Sequence, residues 1–330
     1  MNDPASRLPG VAIFATGGTI AGSSDDPKDT THYEVGTLGV DKLIDAVPGL
    51  RDLASLSAEQ IANVPSSDID HQVVLRLAKA VNGRLVDPLV DGVVVTHGTD
   101  TLEETAFFLD LVTHGNGKPV VLVGAMRPAT ALSADGPLNL LQAVALAASP
   151  KAVGRGAMVV MNDRIESAYY TTKTSTTAVD AFRAAEQGSL GMFLGARPHF
   201  YYSPATPTGR VQFDIGNVDA LPKVAIVYMH EDQDGEQMEM AIERGAKGIV
   251  LAAGGAGSVP AKMKPRLEQL TREGFPVVRS SRTGSGFAVK EDGGGIASGV
   301  LNPQKSRILL MLALALGADL EQVRQWFSLS

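Results

Sequence analysis

The sequence contains no cysteine among its 330 residues. Disulfide bridges, thiolate nucleophiles, iron–sulfur clusters and cysteine-ligated zinc sites are therefore excluded. Runs of basic residues are also missing, and 29 Lys and Arg stand against 36 Asp and Glu, which gives a net charge of −7. This balance argues against a nucleic-acid partner or an anionic membrane surface. A small-molecule ligand is the expected partner.

Long hydrophobic runs are absent as well. The longest apolar run, residues 308–316, is far shorter than the ~20 residues that a bilayer-spanning helix needs, so no membrane association is expected. The first ten residues have neither the basic nor the apolar region of a secretory signal. We expect a cytoplasmic protein, or a periplasmic or secreted one if a leader has been removed.

What the sequence does contain is an alternation of β-branched runs with helix-period stretches, which indicates an α/β fold with a parallel sheet. The length predicts about two domains. Residues 200–222 are rich in Pro and Gly, and we interpret them as a linker between a large N-terminal α/β domain, residues 1–199, and a smaller C-terminal α/β domain, residues 223–330. The predicted strands are residues 11–15, 92–96, 119–123, 157–161, 223–228, 248–252 and 276–280.

A small-residue turn, Thr16-Gly-Gly-Thr19, follows the first predicted strand, and a polar segment, residues 23–33, comes after it. The glycines lack the G-x-G-x-x-G spacing of a dinucleotide site. Adjacent glycines let the backbone approach a ligand closely. The polar segment is either a lid that closes on substrate or a surface loop. Because ligands bind outside the carboxyl ends of parallel strands, this turn is a candidate site.

A second polar turn, Thr-His-Gly-Thr-Asp-Thr, follows the second predicted strand. Thr101 and Glu104 predict a capping box at the start of the next helix. Thr99 and Asp100 then lie just ahead of that helix N-terminus, where free N–H groups favour an oxyanion; the alternative is that both are local caps. We expect His97 to be a packed residue rather than a base.

Lys173 is the only cation in a threonine-rich tract, residues 171–177. It is an ordinary surface residue unless it folds back beside Asp100, where the carboxylate would orient it as a base. The sequence has no G-x-S-x-G, P-loop or H-E-x-x-H motif, and its six His share no ligand spacing, so neither a metal nor a cofactor is expected. Hydroxyls at strand ends indicate threonine-based nucleophilic catalysis on a small polar substrate.

The motifs Ala15-Thr-Gly-Gly-Thr-Ile-Ala-Gly22 and Val95-Thr-His-Gly-Thr-Asp-Thr101 resemble the two signatures of the bacterial L-asparaginase family, the asparaginase/glutaminase amidohydrolases. Four further motifs extend the resemblance over nearly the whole chain: Val123-Gly-Ala-Met-Arg-Pro128, Val159-Val-Met-Asn-Asp163, Val278-Arg-Ser-Ser-Arg282 and Leu301-Asn-Pro-Gln-Lys305. The residues of these motifs resemble those of the type II branch of the family, whose members are usually exported. The resemblance implies hydrolysis of L-asparagine, secondary activity on L-glutamine, and a homotetramer of two intimate dimers.

The resemblance also implies roles for individual residues. Thr19 matches the family's nucleophile and Tyr33 its lid tyrosine, and Thr99, Asp100 and Lys173 match its Thr-Lys-Asp triad. The implied substrate-binding residues are Gly18, Ser66, Ser67, Gly98, Ala125, Ser258 and Glu291, with Asp292 as the alternative to Glu291 for the α-amino group. A neighbouring subunit is expected to reach into each site.

Two positions bear on specificity. Ser67 stands where the family commonly has Gln or Glu, and Ser258 stands where some members have Asn. Three other functions stay open at this point: an amino-acid-binding module without catalysis, a subunit of a tRNA-dependent amidotransferase, and an inactive homologue. Release of ammonia from asparagine separates the first and third from an amidohydrolase.

Overall fold

The computed structural model describes residues 7–289 and 294–328. The chain divides into two units, Met1–Thr206 and Pro207–Ser330. The division falls within residues 200–222, the segment that the sequence marks as a linker.

The first unit is built on an eight-stranded sheet with the order β10-β9-β6-β5-β4-β3-β1-β2, and β7 and β8 form a separate antiparallel pair. Its strands are β1 Gly10–Gly17, β2 Ser55–Val64, β3 Gly92–Thr96, β4 Val120–Val123, β5 Ala157–Met161, β6 Arg164–Ser167, β7 Thr172–Lys173, β8 Phe182–Arg183, β9 Gly191–Leu194 and β10 Arg197–Phe200. Its helices are α1 Val40–Asp45, α2 Leu50–Leu53, α3 His71–Leu85, α4 Leu102–Val112 and α5 Gly136–Ala147, with 3₁₀ turns at Thr19–Ala21, Ser66–Asp68 and Pro150–Ala152.

The five strands β2, β1, β3, β4 and β5 run parallel, and β6, β9 and β10 extend the sheet with antiparallel pairs. The chain moves from β1 to β2 on one side and then returns past β1 to place β3 on the other side. The direction of the connections therefore reverses between β1 and β3. In open α/β sheets a crevice opens at such a reversal, outside the carboxyl ends of the strands.

The sequence predicts the central strands well because they are buried along their whole length and consist of continuous apolar runs. The predictions for residues 92–96 and 157–161 match β3 and β5, and β1 begins one residue earlier and ends two residues later than predicted. The edge strand β2 was not predicted, since most of its side chains are exposed and many are polar. Five short strands, β6 to β10, occupy a region that lacks clear periodicity in the sequence.

The second unit contains a parallel four-stranded sheet whose strands follow chain order. Its strands are β11 Val224–Tyr228, β12 Gly248–Ala253, β13 Val277–Ser281 and β14 Ile296–Ala297, and its helices are α6 Glu236–Glu243, α7 Lys264–Arg272, α8 Pro303–Ala315 and α9 Leu320–Ser328, with a 3₁₀ turn at Ala261–Met263. Within the described part of the chain, each helix falls short of the length and apolarity that crossing a bilayer requires.

Candidate active site

Two glycine turns meet backbone to backbone at the crevice between β1 and β3. A Cβ atom on Gly18 would lie 2.2 Å from the Cα of Gly98, and Gly18 also has a φ of +85°. Both the approach and the backbone conformation require glycine. The hydroxyl of Thr16 donates a hydrogen bond of 3.0 Å to the Thr96 carbonyl and joins the same strand ends. The residues that follow Gly18 and Gly98 are thereby held close together.

Thr19 lies directly after Gly18, in the first 3₁₀ turn, and is only 6% exposed. Its Oγ1 is 2.6 Å from the hydroxyl oxygen of Tyr33. Tyr33 belongs to the segment of residues 22–34, called here the Tyr33 segment, whose ends are joined by reciprocal backbone hydrogen bonds between Ser23 and Glu34. A Cβ atom on Gly22 would lie 3.0 Å from Cδ2 of Tyr33. The small residue at position 22 therefore leaves room for the tyrosine ring.

Lys173 does fold back beside the second turn. Its Nζ donates hydrogen bonds of 2.9 Å to Thr99 Oγ1 and 2.6 Å to Asp100 Oδ1. Thr99 is buried, the Lys173 side chain is 15% exposed, and the Asp100 side chain is 72% exposed. Pairing of Lys173 with Phe182 across β7 and β8 holds the lysine in this place. A hydroxyl within hydrogen-bond distance of an oriented amine is the arrangement that activates a nucleophile.

His97 is fully buried under the second turn, and the prediction that it is packed is confirmed. Its Nδ1 is 2.7 Å from the Gly98 carbonyl and its Nε2 is 2.8 Å from Thr105 Oγ1. Because a carbonyl only accepts, Nδ1 carries the proton and Nε2 accepts from the threonine hydroxyl. Burial lowers the pKa of His97 to about 4. The ring is neutral at pH 7 and supports the Gly98 backbone.

The predicted capping box at Thr101 and Glu104 is wrong in one respect. The helix α4 begins directly after Thr101, but the Thr101 side chain makes no capping hydrogen bond. Its hydroxyl instead donates a bond of 2.8 Å to the Ser66 carbonyl. The tertiary contact takes the hydroxyl away from the helix end, and it ties the second turn to the 3₁₀ turn that carries Ser66.

The two neighbouring serines have different surroundings. Ser66 is 4% exposed, and its Oγ lies 2.8 Å from the position that a Cβ atom would take on Gly98. Ser67 is exposed. The structure therefore places Ser66 against the second turn, and Ser67 on the surface beside it.

A third strand end, between β4 and α5, completes this edge of the sheet. Ala125 is fully buried there, and a Cβ atom on Gly124 would lie 3.0 Å from Cγ2 of Thr99. The Asp135 carboxylate accepts the backbone N–H groups of Met126 and Arg127 at 2.9 and 3.0 Å. The sequence does not point to this role of Asp135, because an Asp ahead of Gly-Pro is typical of a helix start and does not indicate that its carboxylate binds the beginning of its own loop.

The remaining predicted residues belong to the second unit. Ser258 is an exposed residue of the second unit, where its N–H donates a hydrogen bond of 2.9 Å to the Gly254 carbonyl in the turn after β12. Glu291 and its alternative Asp292 lie outside the described residues. Among residues 7–289 and 294–328, no group of three or more His, Asp or Glu side chains is arranged to hold a metal ion.

Comparison with known proteins covers both units. Residues 10–206 match the family described as "Asparaginase, N-terminal", and residues 223–327 match "Glutaminase/Asparaginase C-terminal domain". L-asparaginase 2 of Bacillus subtilis is 46% identical over 330 residues, which cover 97% of this chain and 86% of the relative. The probable periplasmic L-asparaginase of Haemophilus influenzae is 44% identical, with 98% of this chain and 93% of the relative covered.

Among solved structures, the probable cytoplasmic L-asparaginase of Campylobacter jejuni superposes with a TM-score of 0.92 at 45% identity, covering 98% of this chain and all of that one. The fold and these matches define an enzyme of the amidohydrolase class. The chain belongs to the asparaginase family, and the resemblance seen in the sequence motifs is confirmed.

Proposed function

We propose that this enzyme hydrolyses L-asparagine to L-aspartate and ammonia with a threonine nucleophile. The observation that carries the proposal is a pair of hydrogen-bonded sets at neighbouring strand ends. One joins Thr19 to Tyr33, and the other joins Lys173 to Thr99 and Asp100. The close approach of Gly18 to Gly98 joins the two sets. Membership of the asparaginase family supports the choice of asparagine as substrate.

The reaction proceeds through an acyl-enzyme. Thr19 Oγ1 bonds to the side-chain amide carbon, the carbon–nitrogen bond breaks, and the threonine proton leaves with the nitrogen as ammonia. Backbone N–H groups near Thr99 and Ala125 stabilise the oxyanion. A water molecule then attacks the acyl carbon, Thr99 and Lys173 relay its proton, and Thr19 Oγ1 is restored as aspartate leaves.

Substrate is held by the turns around these hydroxyls. The backbones of Gly18 and Gly98 line the position of the substrate, and Ser66 binds the α-carboxylate. Glu291, or Asp292 beside it, binds the α-amino group, and Ser258 is contributed by a neighbouring subunit of a homotetramer built as a dimer of intimate dimers. Sedimentation of the purified protein tests the assembly, and cell fractionation tests the compartment.

Replacing Thr19 by Ala tests the central assignment. Removal of a key catalytic contact raises the barrier by ~2.7–4 kcal/mol, so we expect the rate of ammonia release from asparagine to fall about 100-fold or more. Thr208→Ala, an exposed threonine of the second unit, is the control and keeps the wild-type rate. Wild-type turnover in Thr19→Ala would refute the nucleophile. Binding of asparagine by the wild-type protein with no ammonia release would favour a binding module instead.

Secondary glutaminase activity is the finer part of the proposal. Ser67 is shorter than the Gln or Glu that the family commonly has there, and it leaves space for a longer substrate. The extra methylene of glutamine allows only ~1–3 kcal/mol of discrimination. We expect Ser67→Gln to raise the asparagine-to-glutamine ratio of kcat/KM, with Ser67→Ala as the control. An unchanged ratio counts against a role for Ser67 in specificity.

A further inference from the structure

A single threonine side chain fastens the Tyr33 segment to the loop after β4. Thr130 Oγ1 accepts the backbone N–H of Ser24 at 2.8 Å and donates to the Ser24 carbonyl at 2.9 Å. On either side, the N–H of Ala129 donates to the Gly22 carbonyl at 2.9 Å and the N–H of Leu132 donates to the Pro27 carbonyl at 2.8 Å. The first part of the Tyr33 segment, residues 22–27 and called here its first limb, is therefore bound along residues 129–132.

The loop that provides these contacts, residues 126–135, holds its own shape. The Asp135 carboxylate accepts the N–H groups of Met126 and Arg127, and the Arg127 guanidinium donates to the Ser133 carbonyl at 2.9 Å. Backbone hydrogen bonds from Ala131 to Pro128 and from Ala134 to Ala131 tighten it further. The loop is thus a fixed support on which the Tyr33 segment rests.

The second limb of the segment ends at Glu34 and contains Tyr33, whose hydroxyl lies against Thr19. Between the limbs, Asp29 accepts the backbone N–H groups of Thr31 and His32 at 2.9 Å each. These backbone donors, that of His32 first, lower the pKa of Asp29 to about 2, so its carboxylate stays ionised and able to accept both hydrogen bonds at neutral and mildly acidic pH. The limb that contains Ser24 is thus connected to Tyr33 through a hydrogen-bonded turn.

We propose that Thr130 is a positioning residue for the reaction, which acts by holding the Tyr33 segment in place over Thr19. The proposal rests on the proposed function, because it needs the Thr19–Tyr33 pair to be part of the active site. Ala129 and Leu132 contribute through their backbones, so Thr130 is the position at which a side-chain substitution tests the fastening. Thr130 does not contact Thr19, and its effect passes through Tyr33.

Kinetics of matched variants provide the first test. Thr130→Val keeps the shape and removes the hydroxyl, Thr130→Ser keeps the hydroxyl, and Thr208→Val controls for the same change at an exposed position of the second unit. Both hydrogen bonds are exposed, so we take the low end of the usual contribution for each, and their loss weakens the fastening about five- to tenfold. We expect kcat/KM of the valine variant to fall by up to that factor. Most of the fall is a rise in KM, since substrate then binds a state that is only partly populated. The serine and control variants remain within about twofold of wild type.

Trypsin cleavage after Lys28 measures the fastening without reference to catalysis. Lys28 is exposed within the Tyr33 segment and lies between the two limbs. We expect Thr130→Val to accelerate cleavage at this site about five- to tenfold, as its two lost hydrogen bonds imply, with cleavage elsewhere and thermal denaturation unchanged. Thr130→Ser cleaves at the wild-type rate. Wild-type cleavage at Lys28 in the valine variant overturns the proposal.

A Tyr33→Phe background decides whether Thr130 acts through the tyrosine. The kinetic effect of Thr130→Val shrinks to less than about twofold in that background if the two residues act in series. A full effect there, or a wild-type kcat/KM in the single valine variant, overturns the proposal. If Thr19→Ala and Tyr33→Phe both keep full activity, the proposed function has failed, and faster cleavage at Lys28 in Thr130→Val still identifies the contact that fastens the segment.

Discussion

Both units contain parallel strands with glycine-rich turns at their ends, but the buried hydroxyls at these ends have different partners: in the first unit Thr99 accepts a hydrogen bond from Lys173, whereas in the second unit Ser281 donates one to the Gly255 carbonyl. The close approach of Gly18 to Gly98 brings together the turns after β1 and β3, which carry Thr19 and Thr99. The corresponding turn after β12 leaves Ser258 exposed. A glycine-rich turn alone therefore does not make a site.

The difference lies in the strand order. In the first unit the connections reverse direction between β1 and β3, which opens a crevice at their carboxyl ends. In the second unit the described strands follow one another in chain order from β11 to β14, without such a reversal. Similar glycine-rich turns thus lie in different surroundings because the strand orders of the two sheets differ. The first two of the following substitutions test that distinction through the rate, with the stronger effect first, and the third concerns stability.

Gly18→Ala should have the largest effect. Gly18 and Gly245 share a φ of about +85°, but a Cβ on Gly18 meets the Gly98 backbone at 2.2 Å whereas Gly245, in the second unit, has nothing within 4 Å. Alanine at either position must take a positive φ, which costs about 1–3 kcal/mol. Misplacing reacting groups by about 1 Å costs about 100-fold in rate, so we expect that loss of kcat/KM in Gly18→Ala only. Equal activity losses in Gly18→Ala and Gly245→Ala would show that the contact with the Gly98 backbone is not the cause.

Gly22→Ala should have a smaller effect, which arises from crowding of the Tyr33 ring and the backbone beside it. A Cβ on Gly22 would lie 2.9 Å from the Glu34 carbonyl oxygen and 3.0 Å from the Tyr33 ring, whereas Gly39 has nothing within 4 Å. Its φ is not strained, so the cost arises from crowding alone. We expect about a tenfold fall in kcat/KM, the scale of losing one general acid–base contact in part. Gly39→Ala serves as the control, and a similar fall in that variant would refute this explanation.

The last prediction concerns His97 and the stability in acid rather than the rate. Burial lowers the pKa of His97 from its ordinary value of 6.5 to about 4. Between these values the unfolded chain binds a proton that the folded chain does not, so the free energy of unfolding falls as the pH drops from 6.5 towards 4. At pH 5 this contribution is about 2 kcal/mol. Urea unfolding at pH 7 and pH 5 should show a loss in wild type that is smaller by that amount in His97→Gln. Equal losses would contradict the assignment.

Several features could be predicted from the sequence. The central strands and the two signature turns were identified because each is local: a buried strand is a continuous apolar run, and a tight turn needs glycine at fixed positions. The strands β3 and β5 match their predictions residue for residue. The Pro- and Gly-rich segment between the two domains and the short motifs of the asparaginase family are local features as well, and both could be identified in the sequence.

Other features depended on partners distant in the chain. Lys173 is one cation among threonines until β7 and β8 pair and bring it to Thr99 and Asp100. The hydroxyl of Thr101 bonds to the Ser66 carbonyl rather than to its own helix, and Thr130 reaches Ser24 across more than a hundred residues of chain. A pattern over neighbouring residues carries no information about such partners.

The residue types that the proposed chemistry needs are thus evident in the sequence, because side-chain type and local conformation depend on short segments. Which of these residues lie together follows from the tertiary structure. The reversal of strand order between β1 and β3 brings separate strand ends to one crevice, and the close approach of Gly18 to Gly98 brings together the two turns that carry Thr19 and Thr99. Contacts of this kind form when the sheet assembles, and their geometry follows from the order of its strands.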